Sequence, residues 1–337
     1  MKKIKNKKIL IIGGAGFIGH NLALKLKKLG GKVFIFDSLK VNNLENLRKN
    51  EYNLPYPVLA RKIVLERLKL LKKNKIPVKI LDARNYHKIS RNYSKISPDI
   101  VIHLAAVSHA NRSNKDPHST FDHSLRTLEN VLDNAKNKVK HFIFFSSSMV
   151  YGNFKKTTVD ENDDCNPLGI YGALKFSAEK IIQAYGQTFD LPYTIIRPSA
   201  LYGERCISRR VGQIFIESAI NNKTIQIQGN GEEKLDFTYI QDLIDGVVKV
   251  INSKKSIKQV FNLTYGKSQS INKLLHILKQ NFPKVKVNYV KRDKLMPVRG
   301  TLSTQKAKKL INYKSQWPLI KGYKNYIDWY VKFIKNK

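Results

Sequence analysis

Short apolar runs alternate with amphipathic stretches along most of this chain. Ile9-Leu-Ile-Ile12 is apolar at every position, as a strand covered on both faces must be. Lys32–Asp37, Val78–Leu81, Pro98–Val107, Lys140–Ser146 and Pro192–Arg197 read as further strands. Between them lie helical patterns, among them Pro57–Lys75, where Val58, Ile63, Leu65, Leu68 and Leu71 approximate one face, and Ser119–Lys138. Farther on, Ile225–Gln228 reads as a strand, Gln241–Val250 as a helix and Tyr323–Ile334 as a closing amphipathic helix. The alternation predicts an α/β fold: a Rossmann-type, doubly wound parallel sheet with ligands at the carboxyl ends of its strands. A smaller C-terminal α/β lobe for substrate is expected to follow. The expected boundaries are 1–198 for the first domain, with 239–265 returning to it, and 199–238 with 266–337 for the lobe.

Gly13, Gly16 and Gly19 follow the first strand at three-residue spacing. The first permits a tight turn, the second lets backbone approach a pyrophosphate, and the third lets the next helix pack on the strand. That helix presents free N–H groups and a positive dipole end to phosphates. Gly13, Gly16, Phe17, Ile18 and Gly19 are therefore the expected dinucleotide contacts. Asp37 ends the second strand about 20 residues after Gly16, where a carboxylate meets the adenosine ribose hydroxyls. It would repel a 2′-phosphate, so the expected cofactor is NAD. Asp82, after the third strand, suits either the adenine amino group or a cap. Ala105 and Ala106 leave room for the cofactor; His103 reads as a packed, hydrogen-bonded residue at the strand end, and Ser108 and His109 as candidate substrate contacts.

Composition narrows the setting. Two cysteines, Cys165 and Cys206, suggest neither a disulfide framework nor a metal cluster, and no metal site is expected. No apolar run approaches the ~18 residues of a membrane span, and the Lys-rich start breaks at Gly13 too soon for a signal peptide. The expected location is the cytoplasm. Lysine and arginine outnumber acids by 62 to 25, a net charge of +37. Such an excess draws polyanions, yet the lysines are dispersed and no basic, aromatic-rich module accompanies them. An anionic substrate fits better than nucleic acid.

Chemistry enters where the fifth strand ends in Ser146-Ser-Ser148. Ser146 falls beside the expected nicotinamide. Tyr171 and Lys175 then stand four apart, on one helical face. A free tyrosine, with a pKa of about 10, is a poor base at neutral pH, but a neighbouring ammonium favours its phenolate. Tyr171 could thus exchange a sugar hydroxyl proton while a nicotinamide exchanges the hydride.

These stretches resemble the extended short-chain dehydrogenases/reductases that act on nucleotide sugars, the NAD-dependent epimerases and dehydratases. The resemblance runs through Gly13–Gly19, Asp37, Asp82, His103–Ala106, Ser146–Ser148 with Val150–Gly152, Tyr171 with Lys175, Arg197-Pro198, Leu201–Gly203 and Asp236–Asp242. It implies Tyr171 as base and cofactor contact, Lys175 as its orienting cation and holder of the nicotinamide ribose, and Ser147 as the hydrogen-bonding hydroxyl. It also implies a homodimer joined through the helices near Ser119–Lys138 and Tyr171–Phe189.

Departures from the family pattern narrow the reaction. The acidic pair that follows the catalytic hydroxyl in the dehydratases is replaced by Ser148 and Met149, which disfavours elimination. Two positions that usually contact substrate phosphates hold Ala200 and Leu235; Arg205, Arg209, Arg210 or Arg299 could compensate, and Ser148, Arg205 and Arg299 are taken as substrate contacts. The expectation is an NAD-dependent nucleotide-sugar epimerase. An NAD-dependent sugar dehydrogenase or keto-sugar reductase is the alternative, and a non-catalytic NAD-bound or RNA-binding relative stands behind both.

Overall fold

The computed structural model describes residues 4–40, 42–106, 110–293 and 296–335. Seven strands form an all-parallel sheet: β1 (Lys8–Ile12), β2 (Lys32–Asp37), β3 (Val78–Ile80), β4 (Ile100–His103), β5 (His141–Phe145), β6 (Tyr193–Arg197) and β7 (Gln259–Asn262). Their order is β7-β6-β5-β4-β1-β2-β3. Ile11 pairs with Ile35 on one side and Ile102 on the other. The chain therefore winds outward from β1 in both directions, and the reversal between β1 and β4 opens a crevice at the strand ends.

Alternation within each strand splits the apolar side chains between two faces. Ile9, Ile11, Ile35, Ile102, Ile143 and Ile196 enter one core; Leu10, Ile12, Phe36, Val101, Phe144 and Ile195 enter the other. Helix α1 (Phe17–Lys28) covers the first face with Leu22 and Leu26. Residues of the helix Ile240–Asn252, Ile244 and Val247 among them, join the same core, and Lys25 pairs with Asp245 at 2.8 Å. The second face lies under Ile89, Leu128, Val131, Leu132, Ala178 and Ile182. β4, β5 and β6 are buried at every residue, which is why they read as unbroken apolar runs.

Several boundaries differ from the sequence expectation. β4 stops at His103 rather than Val107. The single helix expected over Ser119–Lys138 is three pieces: Pro117–Phe121, a π-helical turn at Asp122–Arg126, and Thr127–Ala135. Thr127 Oγ1 donates to the carbonyls of His123 and Ser124 at the end of that turn, and His123 and Thr127 face the crevice. The inserted helix Pro57–Lys73 exists, but its buried face is Ala60, Ile63, Val64, Arg67 and Leu71. Val58, expected on that face, is 68% exposed.

The remaining chain builds a second layer of helices, Val211–Ile220, Ile271–Asn281 and Leu319–Lys335. Tyr323, Tyr326 and Tyr330 of the last helix are all buried. Ile225–Gln228 pairs with Val287–Val290 in a small parallel sheet. Asp236 ties this part together, its carboxylate accepting from the backbone N–H groups of Gly266 and Leu302 and from Thr264 Oγ1. Among the described residues no helix is long and apolar enough to cross a membrane.

Candidate active site

A cavity of about 620 Å³ occupies the crevice at the β1/β4 switch point. Gly13, Gly16, Phe17, Ile18, Gly19, Asp37, Asp82, Ala105 and Ala106, the expected cofactor contacts, all line it. Gly13 has φ +79°, and a Cβ there would stand 2.9 Å from the Ala105 nitrogen. At Gly19 a Cβ would meet the Gly14 Cα at 2.5 Å, so this glycine is what allows α1 to sit against the turn. Among the described residues no side chain caps α1 at Gly16, and its first N–H groups have no intrahelical acceptor. Asp37 braces the turn from β2: Oδ2 accepts from Ala15 N at 2.9 Å and Oδ1 from Leu39 N at 2.8 Å. Burial pushes its carboxyl pKa up, against those hydrogen bonds. A turn that a Cβ would fill, a bare helix N-terminus and a carboxylate at the end of β2 together suit a dinucleotide.

Asp82 is held more tightly than either sequence reading supposed. Its carboxylate takes Arg84 Nη2 at 2.7 Å and Nε at 3.0 Å, with Lys40 Nζ at 3.4 Å, and it also accepts from Arg84 N at 3.1 Å. The hydrogen bonds from Arg84 hold its pKa well below the usual carboxylate range. Ser108 and His109 lie outside the described residues.

The reactive end is built on the helix Gly169–Thr188, which carries Tyr171, Lys175 and Glu179 at four-residue intervals. Lys175 is buried; its Nζ donates to the Phe145 carbonyl at 2.6 Å and lies 4.8 Å from the Phe144 ring centroid. Burial lowers its pKa to about 8, partly opposed by Glu179. Ser147 starts the 3₁₀ turn Ser148–Tyr151, its Oγ accepting from Met149 N at 3.2 Å. The neighbouring hydroxyl behaves differently: Ser146 Oγ donates to Glu179, which also takes Arg197 Nε at 3.0 Å and Nη2 at 2.7 Å. Ser146, expected beside the nicotinamide, is thereby part of a buried polar network behind Lys175. Ser148 is buried, with its N–H on the Pro198 carbonyl. His103 is fully buried against Phe142 and Phe144, as expected, but neither ring nitrogen has a hydrogen-bond partner among the described residues, so the expected hydrogen bond is absent there.

The four candidate arginines separate clearly. Arg205 is committed elsewhere: Nε donates to His20 Nε2 at 3.1 Å, Nη1 pairs with Glu66 at 3.3 Å, and the guanidinium faces the Trp329 ring. Its charge is thereby matched inside the fold. Arg209 pairs with Glu217 at 2.9 Å. Arg210 instead lines the cavity at the start of Val211–Ile220. Arg299 rests its Nη2 against Met149 Sδ. Burial, with Arg210 adding to it, lowers the Arg299 pKa to about 10, opposed by Tyr171. Ala200 adopts φ +36°, and Leu235 is a half-buried strand residue paired across Gln269.

Sequence reading missed Arg67, which lines the cavity from the inserted helix. A signal existed: it is a charge placed between Val64 and Leu71 on an otherwise apolar face.

Residues 9–264 match the NAD dependent epimerase/dehydratase family. A dTDP-D-glucose 4,6-dehydratase of Dictyostelium discoideum is 32% identical over 278 residues, 76% of this chain but only 58% of the relative's length. An uncharacterized UDP-glucose epimerase of Bacillus subtilis is 28% identical, covering 95% of this chain and 96% of its own. The crystal structure of UDP-glucuronic acid 4-epimerase from Bacillus cereus, in complex with UDP-glucuronic acid and NAD, superposes with a TM-score of 0.84. It is 28% identical and covers 96% of this chain and 99% of its own. The chain belongs to the NAD-dependent epimerase/dehydratase family of extended short-chain dehydrogenases/reductases.

Proposed function

We propose that the protein inverts a hydroxyl-bearing carbon of a UDP-sugar, with C4 as the carbon and NAD as a retained cofactor. The observation that carries this reading is the seating of Lys175 on the carbonyl of Phe145, the last residue of β5 and two before Ser147, one helical turn from Tyr171. When bound, NAD supplies the hydride acceptor and donor. Tyr171 takes the proton of the reacting hydroxyl and returns it after the sugar has presented its other face. Lys175, one helical turn from Tyr171 and held on the Phe145 carbonyl, orients the phenol and holds the nicotinamide ribose. Ser147 hydrogen-bonds the same hydroxyl and fixes its distance from the phenol.

Water elimination lacks its acid and base here, since Ser148 and Met149 stand where the dehydratases carry carboxylates. That disfavours the dehydratase's elimination here, while the B. subtilis and B. cereus proteins support a UDP-sugar and epimerisation. Arg210 and Arg299 are the proposed diphosphate clamp, standing in for the phosphate-binding side chains that the family carries where this chain has Ala200 and Leu235. Residues 1–198 with 239–265 form the proposed cofactor domain, and 199–238 with 266–337 the substrate lobe; the entry of β7 into the main sheet supports that return. The reading also includes a homodimer in the cytoplasm. The test is incubation of the purified protein with UDP-, GDP-, CDP- and dTDP-sugars, with products resolved by NMR. An epimer without net NADH supports the proposal; stoichiometric NADH supports a dehydrogenase instead.

A further inference from the structure

We infer that Arg67 is a cofactor-binding residue, supplying a buried cation to the pyrophosphate of the dinucleotide. It stands on the inserted helix Pro57–Lys73, 1% exposed, and lines the same cavity as Gly16, Phe17 and Ile18. Nε donates to the Arg205 carbonyl at 2.8 Å, Nη2 reaches the same oxygen, and Nη1 donates to Asn42 Oδ1 at 3.0 Å. Every one of these acceptors is uncharged. Neutral acceptors fix the orientation of a guanidinium but do not balance its charge, and a buried cation left in that state is costly.

Among the neighbours of Arg67, the Cys206 thiol, the Tyr326 phenol and the Asp37 carboxylate favour its charge and Arg205 opposes it, while Arg205 is itself paired with Glu66. Asp37 attracts Arg67 from a distance while both its oxygens are bonded to backbone N–H groups of the glycine turn and Leu39. One N–H on each terminal nitrogen of Arg67 remains beyond the three bonds described. A guanidinium held by neutral acceptors, lining a cavity that the N-terminus of α1 also lines, suits a phosphate group. The bond to the Arg205 carbonyl has a second consequence. It ties the cofactor cavity to the loop 203–210, which ends at Arg210 on the proposed substrate side.

This inference rests on NAD dependence alone and not on the catalytic roles of Tyr171 or Lys175. The test measures binding by isothermal titration of cofactor-stripped protein with NAD and ADP-ribose, and by competition with adenosine, which has no phosphate. Arg67→Met is expected to weaken NAD and ADP-ribose by ~10- to 100-fold while adenosine changes by less than ~2-fold. Arg67→Lys should retain part of the affinity. Asn42→Asp keeps the packing but matches the guanidinium internally, and should weaken the two phosphate-bearing ligands selectively even if Arg67→Met fails to fold. Equal losses for all three ligands would make Arg67 a structural strut, and unchanged NAD affinity in Asn42→Asp would overturn the proposal. A wild-type protein that binds adenosine but neither NAD nor ADP-ribose would remove the cofactor assignment along with it.

Discussion

Lys175 donates to the Phe145 carbonyl at 2.6 Å, so the cation of the reactive pair is anchored to the last residue of a central strand rather than to another side chain. The anchor fixes position without neutralising charge. Burial lowers its pKa to about 8, whereas an unfolded lysine titrates near 10.4. Catalysis needs the ammonium, so kcat/KM of the enzyme should fall as pH rises through about 8. Folding stability should move oppositely, rising with pH between the two pKa values, because the unfolded chain there binds more protons. A pH profile of kcat/KM beside urea melts at the same pH values checks both signs; Lys175→Met should remove the alkaline limb.

Tyr171→Phe removes the proton-transfer group and leaves the ring. Turnover should fall by ~10²- to 10⁴-fold, with NAD content after purification unchanged, since the cavity walls around Gly13–Gly19 and Asp37 are untouched. Full activity in this variant would show that another group moves the proton.

Glu179 and Arg197 form a bidentate pair, with both side chains 5% exposed or less. Removing one charge leaves the other buried without its partner. Glu179→Gln should cost about 3–5 kcal/mol in urea unfolding. Because Ser146 also donates to Glu179, Ser146→Ala should cost less, about 1–3 kcal/mol, by depriving the carboxylate of one donor.

Most of the fold and the cofactor turn could be read from the sequence because their causes are local. A strand buried on both faces must be apolar throughout, and the glycines at 13 and 19 answer to contacts with nearby backbone, including Ala105 and Gly14. The substrate end was less legible because it depends on which distant partner takes each charge. Arg205 and Arg210 are five residues apart in one loop, yet Glu66 and His20 claim the first, while the second faces the cavity. Ser146 and Ser147 are adjacent hydroxyls, separated only by Glu179, which stands a helix away. The buried Arg67 escaped for the same reason: its partners, the Arg205 carbonyl and Asn42, lie far from it in the chain.

Gly19 offers a sharper test of the turn than Gly16. A methyl at Gly19 would meet Gly14 backbone at 2.5 Å, where no flexible side chain can yield. Gly16 has only the Gly13 carbonyl at 3.4 Å, so its methyl fits the protein and intrudes on the ligand. Gly19→Ala should therefore lower the melting temperature, and Gly16→Ala should weaken NAD binding with little change in melting of the apo protein. Thermal melts with and without NAD distinguish the two.

Arg299 is the last link between structure and substrate. Its Nη2 rests on a thioether, a weak acceptor, while Arg210 and Tyr171 are its charged and titratable neighbours. A guanidinium so placed is suited to an arriving phosphate oxygen. Arg299→Gln should raise KM for the nucleotide sugar by ~10- to 100-fold with kcat within ~3-fold, the signature of uniform binding. Leu235→Arg restores a guanidinium at a position where the resembled family carries one, and in the Arg299→Gln background it should bring KM part of the way back. An equal fall in kcat and kcat/KM would instead place Arg299 at the reacting sugar, acting in the transition state.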